Sequence, residues 1–114
     1  MRPGQVEPNE FEIAILERLA QKRPGLQPAI RRLRVLSREF TGVGCYTNFL
    51  CEEFVPELGN DMLGLDELIS MPNVPNGMGA VLHCEDGKPK FLETFTYGDD
   101  HWDGVYTEFT IDPS

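Results

Sequence analysis

The sequence predicts an α+β domain, an N-terminal helix packed on a mainly antiparallel sheet of about five or six strands. A capped stretch near the N-terminus repeats its apolar residues every fourth position. Two runs between Arg34 and Cys51 alternate around a glycine turn, and Asp86-Gly87 separates two more alternating runs.

The helix is marked at both ends. Asn9 is placed to cap it with a side-chain oxygen, and Glu12, three residues on, to return the bond as in a capping box. Phe11, Ile15 and Leu19, flanked by Ile13, Leu16 and Ala20, form one broad apolar face. Glu10 at the start and Lys22 and Arg23 at the end suit the helix dipole, and Pro24-Gly25 ends the element. Pro28 to Leu33 is expected to add a short helical turn.

From Arg34 the period changes to two. "RVLSREF" sets Val35, Ser37 and Glu39 against Leu36, Arg38 and Phe40; after Thr41-Gly42-Val43-Gly44, "CYTNFLC" sets Cys45, Thr47, Phe49 and Cys51 against Tyr46, Asn48 and Leu50. Two strands joined by a tight turn are expected. "EEFVPELGND" reads as a polar connection, "MLGLDELI" as an element whose type the pattern leaves open, and "SMPNVPNGMG" as a loop. "AVLHCE", Asp86-Gly87 and "KFLETFTY" form the strongest hairpin signal, with Pro89 pointing to a loop longer than two residues. A last strand is expected over "VYTEFTI", with Val105, Thr107, Phe109 and Ile111 on one face.

Composition bounds the molecule. A chain of 114 residues, 40% hydrophobic and 25% charged, fits one globular domain over residues 1–114, large enough to build a core without a disulfide or a metal. The 3 cysteines, Cys45, Cys51 and Cys84, have no metal-like spacing and read as reduced core thiols. Polar residues lead the chain and no apolar stretch reaches the roughly 20 residues of a membrane span, so the cytoplasm is the expected compartment.

Net charge is −9, unevenly spread: 8 Lys/Arg face 5 Asp/Glu up to Phe40, and 2 face 14 from Thr41 onward. Such a chain repels phosphate-rich partners, which excludes nucleic acid, and attracts a basic protein.

Strand alternation puts Phe91, Glu93, Phe95 and Tyr97 of "KFLETFTY" on one face. A carboxylate in an aromatic stripe needs a partner if it is buried, and Arg38 or Arg34 is expected to supply it. With Tyr46 and Tyr97, Glu93 and Arg38 would then surround a ligand pocket; the alternative is a structural ion pair or an exposed stripe. Asp99, Asp100 and Asp103 surround Trp102 in a loop bounded by Gly98 and Gly104. The spacing is not that of a calcium loop, so a solvated turn is expected there, with Trp102 as interface anchor or lid over the core. No nucleophile elbow, phosphate loop or zinc-protease motif occurs, and no catalytic residue, metal or cofactor is assigned.

"SREFTGVGCYTNF" and "LETFTYGDDHW" together resemble a small bacterial protein family with no activity attached, marked by an R-E-x-T-G-x-G-x-[YF]-T-x-F segment and an L-E-x-[FY]-T-Y-G-[DE] segment. The matching positions are Arg38, Glu39, Thr41, Gly42, Gly44, Tyr46, Thr47 and Phe49, then Leu92, Glu93 and Phe95 to Asp99. The resemblance implies a small bacterial domain and a shared surface.

The expected function is that of a cytosolic binding module that contacts a basic protein through an acidic surface, of the inhibitor or immunity type. The alternative is a small-molecule-binding protein or enzyme using Glu93, Tyr97, Tyr46 and Arg38. A pocket with converging polar groups would favour the second; a flat acidic face centred on Trp102 would favour the first. Self-association through an edge strand is compatible with both.

Overall fold

The computed structural model describes residues 6–98 and 100–112. Helix α1 spans Glu10–Ala20 and starts as its sequence demands: Asn9 Oδ1 accepts from the Glu12 N–H at 2.8 Å, and Glu12 Oε1 accepts from the Asn9 N–H at 2.9 Å. Its apolar face buries Phe11, Ile15, Leu16 and Leu19. Helix α2, Leu26–Ile30, begins before Pro28. Proline is tolerated there because the first turn has no use for its missing N–H.

The chain then builds one antiparallel sheet from β1 (Arg34–Phe40), β2 (Gly44–Leu50), β3 (Met62–Gly64), β4 (Ile69–Met71), β5 (Val74–Glu85), β6 (Lys88–Thr96) and β7 (Thr110–Ile111). The order is β1-β2-β6-β5-β4-β7, with β3 pairing β5 beyond β4. Both helices lie on one side of the sheet. Their core includes Val35, Phe49, Met78, Ala80, Leu82 and Leu92, all buried on the inner face. Among the described residues no helix lies over the other face, in keeping with a molecule 21 Å thick and 37 by 35 Å across.

Several expectations are corrected. "SMPNVPNGMG" is mostly strand: β4 turns through Pro72-Asn73 into β5, where Met71 pairs with Val74. Pro75 fits because β6 joins β5 only from Met78 onward, so Pro75 has no ladder on that side to break. The β5–β6 turn holds two residues, Asp86 and Gly87, both at positive φ of 52° and 77°, and Pro89 is absorbed by a register shift opposite His83 and Cys84. "MLGLDELI" supplies β3 and the start of β4. The expected last strand shrinks to β7, and the residues before it cross over Phe11 instead: Tyr106 stacks on that ring at 5.8 Å and Phe109 meets it edge-on at 5.1 Å.

The uneven charge of the chain becomes a set of links across the molecule. Arg18, Lys22, Arg23 and Arg32 of the helical segment pair with Glu67, Asp66, Asp61 and Glu53. Three of these pairs are solvent-exposed and add little stability, but they neutralise three acids of the negative surface. Among the described residues no helix is long and apolar enough to cross a membrane.

Candidate functional site

The uncovered face of the sheet carries cross-strand rows set by the register. One runs Ser37, Asn48, Phe91, His83, Met62; the next runs Glu39, Tyr46, Glu93, Val81, Gly64. A third sets Phe95 between Gly44 and Gly79. Glu93 sits at the centre, where Tyr46 Oη donates to its Oε2 at 3.4 Å and His83 Nε2 lies 3.3 Å from its Oε1. His83 stacks on Phe91 with centroids 4.2 Å apart, Tyr46 meets Phe91 edge-on, and Phe95 and Tyr97 form a second edge-on pair at 5.6 Å. Gly79 makes room for that pair, since a Cβ there would lie 2.5 Å from the Tyr97 hydroxyl and 2.9 Å from the Phe95 ring. The rows contain two carboxylates and no lysine or arginine.

Beneath the sheet, the inner face holds a polar cluster. Arg38 and Thr47 are cross-strand partners, as are Cys45 and Thr94. Arg38 grips Glu12 with Nε to Oε2 at 2.8 Å and Nη2 to Oε1 at 2.7 Å, and Thr47 Oγ1 donates to Oε2 at 2.7 Å. With the cap bond from Asn9, the acceptor positions of Glu12 are filled, so this carboxylate has no lone pair to spare as a base. Hydrogen bonding to Glu12 raises the Arg38 pKa, against the opposing effect of burial. A pocket of about 400 Å³ opens over the cluster, walled by Phe11, Phe40, Trp102 and Tyr106. A larger cleft of about 750 Å³ lies beside Arg31, Arg32 and Arg34. Two of its arginines are already engaged: Arg32 pairs with Glu53, and Arg34 Nη1 donates to the Arg31 and Leu33 carbonyls.

The sequence-predicted residues therefore separate. Glu93 and Tyr46 meet on the outer face, where Tyr97 packs on Phe95 instead, but Arg38 belongs to the inner face, and neither Arg38 nor Arg34 pairs with Glu93. The expected pocket of Glu93, Tyr97, Tyr46 and Arg38 does not form. A bulge explains the error: the β1–β2 register shifts between Val35 and Ser37, which puts Val35 and Arg38 on the same face although they alternate differently in the sequence. Glu93 needs no buried countercharge, because its side chain is 31% exposed.

Trp102 acts as a lid. It is 7% exposed, its N–H donates to the Gly42 carbonyl at 2.9 Å, its indole Nε1 donates to Val105 O at 2.8 Å, and its ring packs on Phe11 and Phe40. Asp103 Oδ1 accepts from the Val105 N–H, a local bond of the turn, whereas Asp100 Oδ2 accepts from the Asn76 N–H and ties the loop to β5. Asp99 lies outside the described residues. The spacing of Trp102, Tyr106 and Phe109 was the overlooked signal: these residues gather around Phe11 rather than alternate along a strand.

The thiols of Cys45, Cys51 and Cys84 are free and buried. Burial pushes all three upward in pKa, Cys84 to about 11, so the nucleophilic thiolate is suppressed near neutral pH. A disulfide-exchange reagent is expected to leave the native chain untouched and to modify all 3 cysteines on unfolding. A fast-reacting thiol in the native protein would contradict this burial.

No protein-family model, curated protein or solved structure matches this chain, so the functional reading rests on the geometry of its two sheet faces.

Proposed function

We propose that the protein is a binding module that docks a basic protein partner on the uncovered face of its sheet. One observation carries this reading: Tyr46, Phe91, Phe95 and Tyr97 lie with Glu39 and Glu93 on a face without helical cover. Tyr46 is 36% exposed, Tyr97 42% and Met62 66%, and aromatic and methionine side chains are enriched at protein interfaces. The carboxylates, with no lysine or arginine in the rows, suit a basic surface and would steer its approach. The Glu93 bonds to Tyr46 and His83 hold the centre of the face in a fixed arrangement before binding. A bacterial cytoplasm is the proposed setting, and the buried, unpaired thiols fit a reducing compartment.

The test is capture from the native host at low salt, with the full chain immobilised beside a Tyr46→Ala/Tyr97→Ala variant and an Arg31→Ala control. A basic protein should be held by the unaltered chain and the control, lost about tenfold or more with the double variant, and released once salt shortens the electrostatic reach below roughly 10 Å. Equal retention of that partner by the double variant would remove the outer face from the account.

A further inference from the structure

The pocket under Trp102 lies on the opposite side of the sheet from the docking face and has a chemistry of its own. Elsewhere the inner face is built from residues such as Val35, Phe49, Leu82 and Leu92; here Glu12, Thr47 and Thr94 are buried at 3%, 3% and 4% exposure. A buried ion pair is weak evidence of a purely stabilising role, because it can often be replaced by apolar residues of similar volume without loss. The cluster also lies at the base of a cavity rather than in packed core.

Three properties define what would fit. The first is a donor: Nε and Nη2 of Arg38 bond Glu12, while Nη1 donates to no described residue and the side chain stays 27% exposed. The second is charge. The Glu12 carboxylate balances Arg38 at 2.7 Å, and Glu7 adds a further carboxylate to the lining, so the pocket offers a hydrogen-bond donor without a net positive field. Two carboxylates beside one guanidinium repel an anion, and an ammonium has no acceptor to offer Arg38 Nη1. The third is shape, since Phe40 and Trp102, with centroids 6.0 Å apart, and Tyr106 supply ring walls. A volume of about 400 Å³ falls in the range of small-ligand pockets.

We infer that this pocket binds a neutral planar aromatic or heteroaromatic molecule of one or two rings, whose carbonyl or ring nitrogen accepts from Arg38 Nη1 while its ring packs against the Trp102 wall. The inference stands apart from the protein-docking reading, because neither site shares a side chain with the other.

Trp102 is the sole tryptophan of the chain, so its fluorescence reports on the pocket directly. The full chain would be titrated with benzamide, benzoate, benzylammonium and cyclohexanecarboxamide, with amide chemical shifts recorded in parallel to locate each probe. Benzamide should bind saturably and about tenfold more tightly than the other three, which lack its neutrality or its aromatic ring, with shifts at Cys45 and Gly104. Phe40→Ala removes a wall residue that is 58% exposed, and should weaken benzamide about tenfold. The probe series on the unaltered chain decides the matter independently of that variant. No saturable binding, equal or tighter binding of either charged probe, or shifts confined to the outer face would overturn the inference.

Discussion

Glu12→Ala is expected to destabilise the fold by about 3 kcal/mol, because it removes a buried carboxylate and leaves a half-buried guanidinium without its countercharge. The same change removes the helix cap bond to Asn9 and the acceptor of Thr47 Oγ1. Urea denaturation would show a lower midpoint with an unchanged slope. Replacing both members of the pair, as in Glu12→Leu/Arg38→Met, should recover much of the loss, since no buried charge is then stranded. Glu93→Gln is the contrasting case: its bonds to Tyr46 and His83 are on a solvent-facing surface, and a loss below about 1 kcal/mol is expected. A Glu93 effect as large as the Glu12 effect would contradict the assignment of the two carboxylates to opposite faces.

Gly44→Ala should be nearly as severe. A Cβ at Gly44 would collide with the Thr94 carbonyl oxygen and sit 3.0 Å from the Phe95 Cα, so the obstacle is the backbone of β6 rather than a movable side chain. Relieving it means parting β2 from β6, and a loss of about 3 kcal/mol is expected. Gly64→Ala provides the control, because a Cβ there meets nothing within 4 Å. Its stability should stay within about 0.5 kcal/mol of the parent, as for surface changes away from special features. Similar losses at both glycines would mean that the β2–β6 approach is not as close as described.

The legible parts of the fold were those set by local chemistry. The Asn9–Glu12 capping box, the apolar face of α1 and the Asp86-Gly87 turn each follow from residues within a few positions of one another. Long-range consequences were not legible. Glu12 reads as a capping residue, yet it is also the partner of Arg38, and that second role depends on a bulge in β1 that local alternation does not announce. Pro75 and its neighbouring glycines read as loop because their tolerance depends on where β6 ends. For the site, alternation placed Phe91, Glu93, Phe95 and Tyr97 on one face, but it could not say which face the helices would cover, and the pairing of Tyr46 with Glu93 depends on the β2–β6 register. The pocket under Trp102 draws its lining from both ends of the chain and from β1, β2 and β6, so it had no compact signature in the sequence.

Hydroxyl-radical footprinting of the captured complex would show whether the uncovered face receives the partner. Methionine and aromatic side chains report well by this method, and Met62, Tyr46, Phe91 and Tyr97 all lie on that face. Partner binding is expected to protect these four from oxidation while Tyr106 and Phe109, across the sheet, keep their free-state rates. Protection of Tyr106 and Phe109 with Met62, Tyr46, Phe91 and Tyr97 unchanged would contradict it.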